Sequence, residues 1–517
     1  MKKIYILIIA ILTLNIANAQ PGTIDSTFGT NGYVITPNGN IDSWANAVVA
    51  QTDGKILVAG TVNLDFSVIR YNSNGNLDST FGTNGKAVTP IGSSNDFVYA
   101  MALQNDGKIL VSGYFYGTSD GFAVVRYTTN GTRDSTFGTN GIAKTYIGDY
   151  GNEAYAMVIQ PDEKIIIAGS AHVPPKDIFA LVRYNSNGVL DSTFGTNGID
   201  TTSIGTVQDK INAVALQSDG KIVAAGTSSN GTDYDFALAR FNSNGTLDST
   251  FGTNGKVTTP IGNSSDDGRA VAIQTDGKIV VAGDMHNGAN YDFALVRYNS
   301  DGTLDNTFGT NGKVVTDVAN SDDMGYAMLI KDGKILVAGE SYVNTSYDFA
   351  LLMYNPNGTL DNTFGIGGKA TTPIGNYGSL AYAMTLQSDG KVVLAGKANN
   401  GSNFDFAVAR YNNLSSVGIF ENNINNNISL YPNPTKDNLT IETNLNIEQK
   451  LEIINLIGQT IYTNSINKKA IINTSAFANG VYILKLSSDK EIVVRKFVKE
   501  WPHLPLQRRS KDIRILY

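Results

Sequence analysis

The chain has 517 residues, a net charge of −7 and no cysteine. It therefore has no disulfide framework and no thiol chemistry, and with no Lys/Arg run in its repeats it lacks the basic footprint of a nucleic-acid binder. A chain this long buries a large core without covalent staples, and its 53 glycines, set between apolar runs, read as tight turns rather than disorder.

The N-terminus reads MKKIYILIIAILTLNIANAQ. Lys2 and Lys3, the apolar stretch Ile4 to Leu14 and the small residues up to Ala19 form the pattern of a secretory signal peptide over 1–19. The apolar part falls short of the roughly 20 residues a membrane span needs, and no later stretch is apolar enough, so no transmembrane span is expected in the mature chain.

Three marks then recur seven times, 53 to 57 residues apart. The Phe of TFG falls at Phe28, Phe81, Phe137, Phe194, Phe251, Phe308 and Phe364. The Lys of DGK, or its counterpart, falls at Lys55, Lys108, Lys164, Lys221, Lys278, Lys334 and Lys391, and an FxxxRY-like segment starts at Phe66 and recurs to Phe406. Each unit reads as four short strands, a to d. In the fifth these are Ala270–Gln274, Lys278–Gly283, Asp292–Tyr298 and Gly312–Thr316, with a hairpin turn at TDG. Near-continuous apolar runs mean strands buried on both faces, and no helical period appears. The expected fold is all-β: residues 20–413 form a seven-bladed β-propeller of four-stranded blades.

The ends set the count. A d-type strand, Gly32–Thr36, precedes the first complete set, and no d strand follows the last c strand, Asp405–Tyr411. The N-terminal strand is expected to fill that vacancy and close the ring, removing an open sheet edge. An open stack of β units is the competing reading. NSNGTLDSTFGTNGK, Asn242 to Lys256, is then the c-to-d connection, with Asp248 bonding nearby backbone N–H groups and Phe251 wedged between blades. In LDSTFGTNGK, LQSDGKIVAAG and DFALARF the chain resembles the delta-60 repeat family of β-propeller-like proteins, a resemblance that implies fold and little more.

Residues 414–428 are Asn-rich and read as a linker. From Ser429 alternating strands suggest a small β-sandwich. The segments LYPNP (Tyr431, Pro432, Asn433, Pro434), GVYILKL (Gly480, Tyr482) and VVRKFVK (Lys496) resemble the type A C-terminal sorting domain of the type IX (Por) secretion system over 429–500. That resemblance implies the secretion machinery and its sortase as partners, passage across the outer membrane, and attachment to surface lipopolysaccharide. The basic tail 501–517 departs from such domains, which end near Lys499.

No catalytic constellation emerges. His172, His286 and His503 are the only histidines, with no repeated Ser/Asp partners and too few ligands for zinc. The NxNGxxD loops faintly resemble calcium loops, but Arg70 and its equivalents stand at the first ligand position. No metal and no cofactor is expected. The a–b and c–d connections barely change between units, whereas the b–c and d–a loops change freely, so one face is uniform and the other individual. Binding residues ride on variable loops of rigid scaffolds.

Counting back four residues from the Ala of each strand a gives Ser43, Asp96, Asn152, Asp209, Asp266, Asp323 and Ser379. Directly before that Ala stand Asn46, Tyr99, Tyr155, Asn212, Arg269, Tyr326 and Tyr382. Both sets are expected to ring the mouth of the central channel, where carboxylates and amides suit sugar hydroxyls and tyrosines offer stacking area. The competing reading has each Asp cap its d–a turn. The favoured function is an exported, surface-displayed propeller that binds glycan or protein. The alternatives are a glycan hydrolase or lyase using carboxylates of that face, and a purely structural surface protein.

Overall fold

A computed structural model of the chain describes residues 21–39, 41–117, 119–148, 150–412, 428–443, 448–455, 459–488 and 492–499. The signal-peptide pattern, the tail 501–517 and all but the last residue of the linker lie outside them. The chain divides into two compact units, Met1–Ser416 and Val417–Tyr517.

The first unit holds seven four-stranded antiparallel sheets. Blade one is Trp44–Ala50, Ile56–Val62, Asp65–Tyr71 and Lys86–Thr89, hydrogen-bonded in that order. Blade seven takes strands a to c from Ser379–Leu386, Val392–Asn399 and Phe404–Tyr411, and its fourth strand from Tyr33–Thr36. Tyr33 stands opposite Ala409 and Thr36 opposite Phe406, so the N-terminal strand closes the ring as its sequence position predicts. Strand a of each blade lies against strand a of the next, blade seven against blade one included, which places these strands around the axis.

The core lies between blades. Seven hydrophobic clusters are each shared by two neighbours; the closing one joins Val393, Ala395, Phe406 and Val408 of blade seven to Ile56, Val58, Ile69 and Tyr71 of blade one. Strands b and c are therefore buried on both faces, which explains their unbroken apolar runs.

Strand a differs from its sequence reading. In blade five it spans Asp266–Ile273 and strand b spans Ile279–His286, so a begins four residues early. It also carries a bulge: Gly268 pairs with Gly283 and Ala270 with Ala282, leaving Arg269 unpaired. The same slip occurs in all seven blades. The strand-b glycine opposite it is obligatory, because a Cβ on Gly283 would stand 1.8 Å from Asp267 O, and one on Gly396 1.8 Å from Leu380 O.

The second unit is a sandwich of two sheets. Ile428–Tyr431, Asn438–Thr443 and Lys469–Asn473 form one, and Thr460–Ile466, Gln449–Asn455, Gly480–Ser487 and Ile492–Lys499 form the other. Leu439, Ile441, Leu451, Ile453, Leu484 and Phe497 fill the space between them.

Candidate functional site

The uniform face explains why one stretch recurs. In six blades the arginine of FxxxRY donates through Nε to the aspartate of DST or its equivalent, at 2.7–2.9 Å. The DGK-type lysine reaches the same carboxylate in all seven blades, at 2.5–3.4 Å. The other carboxylate oxygen accepts the backbone N–H and hydroxyl of the threonine two residues on, as Thr250 does for Asp248. The guanidinium lies 4.6–4.8 Å from the TFG ring and donates onward to the next blade, Arg70 Nη1 to Thr129 O at 2.7 Å. In blade seven the aspartate is Asp25, so Arg410 and Lys391 fasten the N-terminal segment. In blade six Met353 replaces the arginine, which leaves Lys334 and the Thr363 donors to hold Asp361. Arginine thus stands where a calcium loop would need a ligand, and these loops are rivets.

On the other face the two expected rings part company. Ser43, Asp96, Asn152, Asp209, Asp266, Asp323 and Ser379 are fully buried and do not reach the channel. Asp96 accepts the N–H of Ile91 at 2.6 Å and of Gly92 at 2.9 Å, and Asp209, Asp266 and Asp323 hold the same two positions of their own d–a turns. Asn152 accepts from Gly148 N and Ser379 from Ile374 N. These residues open strand a, or directly precede it in blades one and three, and their buried side chains hold the d–a turn.

Asn46, Tyr99, Tyr155, Asn212, Arg269, Tyr326 and Tyr382 are the seven bulge residues. A bulge re-aims one side chain without shifting its sheet, and here it turns all seven toward the axis. They line one cavity of about 500 Å³, together with Trp44, Lys210 and Lys397. Trp44 and Lys210 stand two places before the bulge, on the same edge of strand a, and Lys397 follows the strand-b glycine. Counting back from the Ala of strand a passes over Trp44 and Lys210 and does not reach Lys397 on strand b. Their signal is that they, too, vary between units while the Ala after each bulge and the strand-b Gly do not.

The wall has two characters. At blades two and three it is aromatic: Tyr99 lies edge-on to Tyr155, with centroids 4.8 Å apart, and stacks on Tyr114 at 5.6 Å. Lys210 Nζ sits 3.7 Å over the Tyr155 ring. At blades five to seven it is charged. Arg269 donates to Asp284 at 2.5 Å and to Asp267 at 3.1 Å, and lies 4.9 Å over Tyr326. Behind Tyr326, whose hydroxyl donates at 3.0 Å, Glu340 is pushed up to about 7 by burial, against the pull of Tyr326, Lys397 and Arg269. Burial lowers both Lys210 and Lys397; Glu153 draws the first back up and Glu340 the second.

The described histidines lie apart from this cavity's lining. His172 bonds Asp177 at 2.7 Å and stacks on Tyr150, and His286 packs edge-on against Tyr291. In the second unit Asn433 bridges to the last strand, donating to Lys496 O and accepting from Val498 N, which places Pro432 and Pro434 in that crossing. Tyr431 and Lys496 are exposed, Gly480 opens its strand, and Tyr482 is buried against Phe497.

Comparison with known proteins accords with this division. The chain resembles solved propeller structures only distantly. One is a catalytically inactive virginiamycin B lyase from Staphylococcus aureus with quinupristin, at 11% identity over 73% of this chain and 98% of that one, TM-score 0.44. Another is an ulvan lyase, at 10% identity over 72% and 94%, TM-score 0.41. A third is Sqt1 from Chaetomium thermophilum, at 11% identity over 74% and 98%, TM-score 0.40. Likenesses this low carry no argument about chemistry. No curated protein matches. A secretion system C-terminal sorting domain matches residues 429–500 and marks the chain for type IX export to the cell surface or extracellular space. A beta-propeller domain of unknown function, DUF5122, matches residues 51–81, 104–137, 160–194, 217–251, 274–308, 331–364 and 387–416. Seven such repeats closed into one ring make the first unit a DUF5122 beta-propeller, and a secretion system C-terminal sorting domain follows it at residues 429–500.

Proposed function

We propose that this exported chain is displayed at the cell surface, attached to lipopolysaccharide after sortase processing, and binds an acidic glycan in its central cavity. One observation carries the binding reading. The scaffold around the cavity is the same in every blade, Ala after each bulge and Gly opposite it, while the side chain the bulge delivers is Asn, Tyr or Arg. Fold requirements account for the constants and leave the variables free for recognition.

The cavity's size favours a small ligand over a protein partner. About 500 Å³ suits a saccharide segment, since small-ligand sites run from about 300 to 1,000 Å³. A protein partner calls for a broad patch of about 800 Å² instead. Of the three cations in the lining, Arg269 is paired with Asp267 and Asp284, whereas no described carboxylate lies within ion-pair distance of Lys210 or Lys397, so the unpaired charge of the lining is positive. A pair of carboxylates flanking a glycosidic bond, as hydrolysis requires, is not among the lining residues. This supports binding over the hydrolase reading.

The test is a glycan array probed with the full-length chain, beside a variant carrying Lys210→Gln and Lys397→Gln. Binding to uronate- or sulfate-bearing glycans that drops at least about tenfold in the variant is the expected result. Equal binding by both proteins, preference for neutral glycans, or release of reducing ends from a bound glycan would each end this reading.

A further inference from the structure

Between blades five and six the variable face gathers three carboxylates away from the central cavity. Asp292 lies in strand c of blade five (Tyr291–Tyr298), Asp317 directly follows strand d (Lys313–Thr316), and Asp323 opens strand a of blade six (Asp323–Lys331). One oxygen from each lies within 4.8 Å of the others.

Two of the three are almost completely buried, Asp292 at 5% exposure and Asp323 at 0%. Each uses Oδ2 in the scaffold: Asp292 accepts from Asn287 Nδ2 at 2.8 Å, and Asp323 from Val318 N at 2.6 Å. Each leaves Oδ1 buried without a hydrogen bond of acceptable geometry, with the Ser341 hydroxyl close to Asp323. A buried carboxylate oxygen with no donor is costly. Asp317 adds to the cost, because it acts on both as a further negative charge. Lys369 does not answer it: its ammonium donates to the backbone oxygen of Asp317, as Lys313 does to Pro260 one blade earlier.

The repeats supply internal controls. The pairs Asp65 with Asp96 and Asp235 with Asp266 occupy the same two positions at other interfaces, with Pro90 and Pro260 where Asp317 stands. Elsewhere that third position is Pro37, Tyr146, Ser203 or Pro373. Only between blades five and six does a third carboxylate join the pair, and it does so from an exposed turn.

We propose that Asp292, Asp317 and Asp323 bind one calcium ion, which clamps the two blades at the variable face. Three oxygens within 4.8 Å of one another fit calcium–oxygen bonds of about 2.4 Å, whose opposite ligands stand about 5 Å apart. Carboxylates from two strands and a turn suit calcium's adaptable coordination better than the strict octahedron of magnesium, and the buried Ser341 hydroxyl and solvent water complete an all-oxygen shell. The ion holds the strand that delivers Tyr326 to the cavity three residues later, but the site stands whether or not the cavity binds a glycan.

The full-length chain, stripped with EDTA, is titrated with calcium chloride by calorimetry and its melting followed, beside Asp317→Pro, which installs the residue of four other interfaces. The wild type is expected to bind one ion per chain, with a dissociation constant of about 1 mM or tighter, and to melt several degrees higher when saturated. The variant should lose that rise and, freed of repulsion, melt no lower than wild type in EDTA. Asp317→Asn serves as a second variant with the same expected loss. No calcium bound by the wild type at millimolar concentration, binding that neither substitution weakens, or variants that melt lower than wild type even in EDTA would overturn the proposal.

Discussion

The two faces of this propeller use buried aspartate in opposite ways. On the uniform face Asp25 and its six counterparts sit between a lysine and, in all but blade six, an arginine, with threonine donors on the other oxygen. Burial raises these carboxyls, but hydrogen bonds from threonine and the neighbouring lysine and arginine outweigh it and hold Asp25, Asp134 and Asp191 at about 2. On the variable face Asp266 has two backbone N–H donors and no cation, and burial pushes it up to about 6. Asp96 and Asp323 are raised for the same reason. One face thus spends its charge on holding blades together. The other carries a standing cost beside a cavity whose lining differs from blade to blade.

The largest test of that contrast removes a whole rivet together with its strand. Deleting residues 21–38 takes away the fourth strand of blade seven, the Asp25 partner of Arg410, and Pro21 O, which accepts from Gly365 N. The expected product exposes two sheet edges, aggregates on size exclusion, and melts more than about 10 °C below wild type. A monomer with unchanged melting would mean the ring does not depend on its closure.

A smaller change separates a full rivet from a partial one. Asp248→Asn leaves Arg240 and Lys221 without their shared carboxylate, and removing one partner of a buried pair costs about 3–5 kcal/mol. Asp361→Asn strips only the half-exposed Lys334, since Met353 already stands in the arginine's place, and about 1 kcal/mol is expected. Urea denaturation of both variants gives the ratio directly. Equal losses would show that the arginine adds nothing.

These contrasts were only partly legible in the sequence. TFG, DGK and FxxxRY could be followed because each recurs at the same interface from blade to blade, so the blade count and the closing strand came from spacing alone, whereas the lysine and arginine that share the DST aspartate did not. The bulge left no such trace. It lengthens strand a back to Asp266 and turns Arg269 alone toward the axis, so the caps and the cavity residues fell on different sides of a strand that reads as one loop end. Its one sequence sign was the glycine at Gly283 and its equivalents, which looks like an ordinary strand end until a Cβ is placed against Asp267 O. Lys397 was hidden further, being on strand b, and Asp317 stood out only as a missing proline.

pH separates the faces by sign. The uniform-face carboxyls are depressed, so their stability is present above the unfolded value near 4 and is lost as pH falls toward about 2. Asp266 is raised, so the stability it gives is full below about 4 and is lost as pH rises through about 6. Asp266→Asn keeps an oxygen for Ile261 N and Gly262 N, as Asn152 does for Gly148 N, but cannot ionise. The variant should match wild type in thermal melting at about pH 3.5, below the unfolded value, and exceed it by a few degrees at pH 8. A difference of the same size at both values would show that ionisation of Asp266 is not the cost.

The smallest effect on stability belongs to the cavity itself. Tyr382→Asn gives blade seven the residue that blades one and four already carry at the bulge, Asn46 and Asn212, so the backbone accepts it by the chain's own precedent. What it removes is a ring half-exposed to the cavity, set edge-on to Tyr326 at 5.1 Å and under Lys397 at 5.5 Å. A bulge needs its glycine partner Gly396, not a particular side chain at the extra residue, so the expected change in unfolding free energy is within about 0.5 kcal/mol. Binding of the acidic glycan should meanwhile fall by about tenfold, because a stacking face and the support for one lysine are gone together. A stability loss of several kcal/mol with binding intact would make the cavity tyrosines part of the scaffold and reduce the variable face to another solution of the same packing problem.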